Sequence, residues 1–276
     1  MKASAVEYVR AASVAEAVAL LGHHGGDAKL IAGGQSLLPA LNLRLSAPSI
    51  LIDIFRLSEL QGVSLQPGLL RIGGGCTHAQ LLTEPLIAEH APLIARALAD
   101  VAHPAIRSRG TIGGSLANAD PAAELPACAL ALGATLVVQG STGIRRIAAE
   151  RFFTGLFETA LAQDEILVAV EIPLAPSARW GFAELSRRSG DYAMVGLAAH
   201  HGGGDVRLAY FSVGTTALLA RRAGAALAAG VSAVTLQAAA DALASDLPAH
   251  SDPQACGATR LHLARVLLRR VVGAWA

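Results

Sequence analysis

A chain of 276 residues can bury a sizeable core and sits at the length where one domain commonly becomes two. Its 22 basic and 21 acidic side chains leave no excess field for phosphate backbones or anionic lipid, which argues against nucleic acid as a partner. Cys76, Cys128 and Cys256 are widely separated and contain no Cys-x-x-Cys pair, which argues against a disulfide framework, a zinc site or an iron–sulfur site held by this chain alone.

The first ten residues lack the apolar core and small-residue cleavage site of a secretory signal, and no uncharged apolar run of about 18 residues appears anywhere. We therefore expect a soluble, cytoplasmic protein with no membrane span. Ser13-Val14-Ala15-Glu16 has the form of a capping box, and Val14, Ala17, Val18 and Leu21 recur on one helical face until Gly22 offers a C-cap. His23-His24-Gly25-Gly26-Asp27 reads as a turn, 29–32 as a short strand and 50–54 as another. Pro67-Gly68 predicts a hairpin between Leu65 and 69–72, and an alanine- and leucine-rich helix is expected over about 85–99.

Glycine, serine and proline punctuate 103–123, which reads as a structured loop before a helix at 124–132 and a strand at 134–138. Residues 166–172 alternate as a strand; Pro173 and Pro176 then break the pattern, placing a domain boundary at about 174–178. Beyond it, 180–187, 193–201 and 206–213 predict three antiparallel strands, the last two joined through Gly202-Gly203-Gly204-Asp205. Helical patterns then cover 218–229, 234–244 and 259–275, giving an α+β fold with no internal repeat.

Two segments carry chemistry. Ala32-Gly33-Gly34-Gln35-Ser36 follows a predicted strand, and Thr111-Ile112-Gly113-Gly114-Ser115 repeats the Gly-Gly step followed by a polar residue far away in sequence. Paired glycines let main chain approach a ligand closely, and successive exposed N–H groups can surround phosphate oxygens without a cationic side chain. One such step is ordinarily just a turn; two could face each other across a cleft and hold the two phosphates of a dinucleotide. Neither segment is a Walker loop or a G-x-G-x-x-G Rossmann turn, and neither Ser36 nor Ser115 lies in a G-x-S-x-G nucleophile turn. His23-His24 and His200-His201 fall in glycine-rich turns with no second ligand set at metal spacing, so we expect no metal site. The Arg145-Arg146, Arg187-Arg188, Arg221-Arg222 and Arg269-Arg270 pairs are separate, as surface salt bridges or partner contacts would be.

These two loops resemble the FAD-binding loops of the medium, flavoprotein subunits of the xanthine dehydrogenase and aerobic carbon monoxide dehydrogenase family. Matches in the family's order cover nearly the whole chain: Leu51-Ile52-Asp53-Ile54, Thr77-His78-Ala79-Gln80-Leu81, Asp120-Pro121-Ala122-Ala123-Glu124-Leu125-Pro126-Ala127, Phe152-Phe153-Thr154-Gly155, Glu165-Ile166-Leu167 and Arg187-Arg188-Ser189-Gly190-Asp191-Tyr192-Ala193. The resemblance implies a two-subdomain PCMH-type FAD-binding domain over 1–175, then a flavoprotein domain over 176–276 with a three-stranded antiparallel sheet and a helical bundle.

By the same resemblance, Ala32 to Ser36 and Thr111 to Ser115 hold the pyrophosphate and ribityl region, with Lys29, Leu30 and Ile31 on the adenosine side. Glu124, with Asp120 as the competing carboxylate, meets a ribose hydroxyl; Leu167 and Tyr192 lie near the isoalloxazine ring. The implied role is electron transfer in a molybdenum hydroxylase. A large molybdopterin-binding subunit would oxidise the substrate, a small subunit's [2Fe-2S] clusters would carry electrons here, and FAD would deliver them to an external acceptor. The assembly implied is a dimer of heterotrimers, with no catalytic acid or base required of this chain. A self-contained FAD oxidoreductase and a non-catalytic nucleotide-binding assembly protein stay open at this stage. One departure stands out: similar proteins often carry Gly-x-x-x-Pro-x-Arg after the third strand, whereas this chain reads Gly214-Thr215-Thr216-Ala217-Leu218-Leu219-Ala220.

Overall fold

The computed structural model describes residues 2–188, 190–202 and 204–275; Ser189 of the Arg-Arg-Ser-Gly-Asp-Tyr run and Gly203 of the last hairpin turn therefore lie outside the described residues. The chain opens with β1 (Glu7–Arg10), α1 (Val14–His24), β2 (Ala28–Ile31), α2 (Leu37–Asn42) and β3 (Ile50–Asp53), whose strands form a parallel sheet in the order β1-β3-β2. Ser13 caps α1 by accepting the Glu16 N–H at 3.1 Å, while the Glu16 carboxylate takes the N–H of Ala12 instead of closing the box on Ser13. The helix runs past Gly22 because the left-handed step that ends it comes only at Gly25, φ +53; His23 and His24 thus lie in its last turn and not in a loop.

A second layer begins with the expected hairpin, β4 (Val63–Gln66) and β5 (Leu69–Gly73), turning at Gly68 with φ +77. The single helix expected over 85–99 is instead two, α4 (Pro85–His90) and α5 (Pro92–Asp100), and a further short helix, α3 (His78–Thr83), precedes them. Thr77 and Gln80 make a full capping box for α3, and Pro85 and Pro92 each occupy a first helical position, where a missing N–H costs nothing. Periodicity alone runs these pieces together. The stretch read as loop over 103–123 contains α6 (Pro104–Arg107) and α7 (Ile112–Asn118).

There follow α8 (Glu124–Ala131), β6 (Thr135–Gly140), β7 (Gly143–Ala148), α9 (Ala149–Phe152), the small hairpin β8 (Phe153–Gly155) and β9 (Glu158–Thr159), and β10 (Ile166–Pro173). The antiparallel sheet has the order β4-β5-β10-β6-β7. Its central strand β10 is buried at every position from Ile166 to Ile172, so an unbroken apolar run, more than alternation, marks it. The polar exception, Glu171, is 4% exposed and receives Arg146 at 2.9 Å and Arg71 at 2.7 Å, which hold its carboxyl below the usual range.

The last layer is an antiparallel sheet of β11 (Arg179–Leu185), β12 (Val195–Gly202), β13 (Asp205–Phe211) and β14 (Leu218–Leu219), covered by α10 (Arg221–Ala226), α11 (Ala233–Asp246) and α12 (Gly257–Val272). Three long strands are as expected; the two-residue β14 is additional, because Leu218 and Leu219 pair with Tyr210 and Ala209 and delay the helix expected at 218. This is also where the departure after Gly214 falls. His200 and His201 lie on β12, not in a turn, and Cys256 is exposed while Cys76 and Cys128 are buried.

The layers share cores. Every residue of α8 from Leu125 to Ala131 is buried, since α5 and α7 pack on it from one side and β12 and β13 from the other. Phe182 and Phe211 of the last sheet stack at 5.9 Å within the same core, and Gly196 leaves the room: a Cβ there would lie 1.9 Å from Phe211 Cζ. The first sheet is sealed similarly by Val137, Ile166, Val168 and Ala169 of the second. Each fully buried aliphatic or aromatic side chain contributes about 1.5–3 kcal/mol, so these shared cores fix the loops between the layers with respect to one another.

Candidate functional site

The first glycine loop leaves the C-terminal end of β2, beside the exit of β3, where ligands of open parallel sheets bind. Ile54 donates its N–H to Ile31 O at 3.0 Å and holds the two exits together. Gly34 adopts φ +73, which a side chain would resist, and Gln35 closes the loop by donating to Gly33 O at 3.0 Å. The N–H groups of Gly33, Gly34, Gln35 and Ser36 have no hydrogen-bond partner among the described residues. Four successive unpaired donors around a left-handed glycine offer the kind of backbone that accepts an anion.

The second loop meets the first directly. A Cβ on Gly33 would lie 2.0 Å from the carbonyl oxygen of Arg109 and 3.0 Å from Gly110 Cα. Its own amides are mostly committed: Ile112 donates to Cys76 O at 3.0 Å, Gly113 to Gly74 O at 2.8 Å, Gly114 to Thr111 Oγ1 at 3.1 Å and Ser115 to Thr111 O at 3.0 Å. Thr111 thereby caps α7, whose glycines give it poor helix propensity; the turn read as a loop is helical because its N–H groups are tied to the neighbouring strand exit. What this loop presents outward is the exposed Gly114 and the half-buried Ser115.

A third glycine run, Gly73-Gly74-Gly75, packs between the second loop and β10 and was not singled out from the sequence. Gly74 packs against the backbone of Leu167, where a Cβ would come within 2.4 Å of its carbonyl oxygen, and Gly113 packs against Gly74 at 2.6 Å on the same measure. Leu167 stands at a register shift of β10 against β6, and Gly74 donates to Val168 O at 2.9 Å, so a bulge aims this strand end at the loops. The signal was present as three glycines ahead of the Thr77 capping box. Below lies His78, 5% exposed, with its ring against Gly110; burial, with a smaller push from the Arg107 charge, outweighs a backbone contact at Thr111 and lowers it to about 4, so it is neutral.

At the far end of α7, seven residues or about 10 Å along at 1.5 Å per residue, stands a second group of site candidates. Ala119 turns left-handed at φ +49, and Asp120 accepts the Ala122 N–H at 2.9 Å ahead of Glu124. Burial, reinforced by the charges of Glu184, Asp120 and Asp100, raises the Glu124 carboxyl to about 8. Tyr192 comes from the last layer and is 62% exposed; partial desolvation together with the Asp120 and Glu124 carboxylates pushes its phenol up to about 12. Its turn rests on the preceding layer, since a Cβ on Gly190 would lie 3.3 Å from His103 Nδ1 and 3.5 Å from Ala102 O. The structure thus brings 33–36 against 109–114, sets Leu167 behind them, and gathers Asp120, Glu124 and Tyr192 beyond α7. Lys29, Leu30 and Ile31 lie on β2 leading into the cradle, with Lys29 exposed.

Residues 4–175 match the model described as "FAD binding domain in molybdopterin dehydrogenase", and residues 180–274 match "CO dehydrogenase flavoprotein C-terminal domain". The chain is 37% identical to the carbon monoxide dehydrogenase medium chain of Hydrogenophaga pseudoflava over 98% of its own length and 97% of that protein's. It is 40% identical to caffeine dehydrogenase subunit beta of a Pseudomonas species over 78% and 76% of the two chains. The solved structure of quinoline 2-oxidoreductase from Pseudomonas putida superposes with a TM-score of 0.92 at 40% identity, covering 100% of this chain and 98% of that one.

Gly33→Ala and Gly34→Val are expected to weaken FAD binding by at least about tenfold, equivalent to about 1.4 kcal/mol, because one pushes the loops apart and the other opposes the left-handed step. His23→Ala and Cys256→Ala should change it little; near-wild-type FAD titrations for both folded glycine variants would remove these loops from the site. Glu124→Gln should be more stable than the wild type by a margin that grows as pH rises from about 4.3, the unfolded value, to the folded value of about 8. The sign follows because the folded wild type keeps a proton that the unfolded chain has lost; melting temperatures across that window would show a flat difference if Glu124 were ionised.

Proposed function

Because the chain belongs to the FAD-binding medium subunits of the carbon monoxide dehydrogenase and xanthine dehydrogenase family, we propose that it takes electrons from a partner's iron–sulfur clusters and passes them to an external acceptor. When bound, FAD supplies the redox chemistry. The chain binds that group, orients it and excludes water around it. The observation that carries this reading is the cradle of unpaired N–H groups on Gly33 to Ser36, closed from the side by the second glycine loop. Its donor set fits a dinucleotide's diphosphate.

In this reading Lys29, Leu30 and Ile31 flank the adenosine side, and Ala32 completes the first loop. Thr111, Ile112, Gly113 and Gly114 form the wall, and Glu124 meets a ribose hydroxyl as a protonated acid at neutral pH, with Asp120 beside it. Leu167 backs the ring end, and Tyr192 covers a face of it with an exposed, amphipathic ring. None of these groups is asked to transfer a proton to substrate, so no catalytic acid or base is assigned. The working division is 1–175 for cofactor binding and 176–276 for the layer that brings Tyr192.

Relatives named for caffeine and for carbon monoxide, and a structure named for quinoline, resemble this chain at 37–40% identity. Such different substrates alongside similar flavin subunits support a substrate pocket in another polypeptide. The partners proposed are a large molybdopterin subunit and a small [2Fe-2S] subunit, two copies of each trio assembling in the cytoplasm.

The chain alone should not be reduced by the substrate its complex oxidises. Anaerobic stopped-flow mixing should show the flavin's visible absorbance bleaching with both partners present and not when the iron–sulfur subunit is omitted. Rapid substrate-driven bleaching of the isolated chain would replace the relay with a self-contained oxidoreductase.

A further inference from the structure

Phe55 and Arg109 meet where the two glycine loops touch. Phe55 follows Ile54 out of β3 alongside the start of the first loop, and its backbone is pinned on both sides: its N–H donates to Asp53 Oδ1 at 2.8 Å and its carbonyl accepts Gln61 Nε2 at 3.3 Å. Arg109 supplies the carbonyl on which Gly33 rests, so its backbone belongs to the wall of the cradle. From there its guanidinium reaches over the Phe55 ring, with Cζ 4.1 Å from the ring centroid. Stacking of this kind immobilises a guanidinium while leaving the N–H donors around its edge free.

Those donors have no carboxylate within ion-pair distance among the described residues, and the side chain is exposed, so they are open to a ligand. The cradle beside it offers only partial charges from backbone dipoles. A diphosphate is a dianion, and a planar fork of N–H donors carrying a full positive charge is the side chain best matched to its oxygens. We propose that Arg109 is a further cofactor-binding residue: it donates to the diphosphate of FAD, and the Phe55 ring is the platform that holds it there. This inference rests on the assignment of the glycine loops to that diphosphate.

The test is titration of the full-length chain with FAD and with riboflavin, which lacks phosphate, at several salt concentrations. Arg109→Met should weaken FAD binding about 10- to 100-fold, the range for a hydrogen bond to a charged group, and flatten its salt dependence, while riboflavin affinity stays unchanged. Arg109→Lys should recover part of the affinity, and Phe55→Leu should lose part of it by freeing the guanidinium. Unchanged FAD affinity in a folded Arg109→Met variant would overturn the proposal, as would an equal loss for riboflavin, which would make Arg109 only a clasp between the loops. If Gly34→Val also leaves FAD binding intact, the loop assignment fails and Arg109 falls with it; a loss in Gly34→Val beside none in Arg109→Met defeats the Arg109 proposal alone.

Discussion

Backbone packed directly on backbone is the constraint from which the rest of the site follows. Gly33 lies on the Arg109 carbonyl, Gly113 on Gly74 and Gly74 on the Leu167 carbonyl, each at a distance that no Cβ could occupy. These contacts tie the exits of β2 and β5 and the start of β10 to the second loop with no side chain between them. Because the second loop spends its N–H groups on Cys76, Gly74 and Thr111, it is rigid and has few donors left. The first loop spends none from Gly33 to Ser36 among the described residues, so its donors stay open. One loop is therefore a wall and the other a cradle, although their sequences look alike.

The same division of labour extends outward. The helix α7 is short and glycine-rich, yet it is held at its start by the strand exits and along its flank by α8, which is buried on every side. It thereby sets the spacing between the first glycine loop and the group of Asp120, Glu124 and Tyr192. Two of those three residues come from one layer and the third from the next, so their meeting depends on the core shared between α8, Phe182 and Phe211. Desolvation raises the half-buried Glu124 carboxyl to about 8 and lowers the buried His78 imidazole to about 4, so both groups are neutral near pH 7.

Local signals made the two glycine loops legible, along with the cap at Ser13, the hairpin at Pro67-Gly68 and the long tail helices, because each rests on residues adjacent in sequence. What stayed hidden required contact information. Pro92 divides the helix that begins at Pro85, although the apolar period continues across it, and α7 forms despite two glycines because partners outside it fix its first turn. The run Gly73-Gly74-Gly75 looks like an ordinary strand end until Gly113 and Leu167 are seen against it. The stacking of Arg109 on Phe55 links residues from different layers and leaves no local trace.

The asymmetry between the loops can be read most directly by amide hydrogen exchange on the full-length chain with and without FAD. Without FAD, the amides of Gly33, Gly34, Gln35 and Ser36 should exchange rapidly while those of Ile112, Gly113, Gly114 and Ser115 are already protected by their internal bonds. Saturating FAD should slow the first set strongly and the second only slightly. Exchange at Gly33 to Ser36 that stays as fast with FAD as without it would contradict a cradle for the diphosphate at that loop.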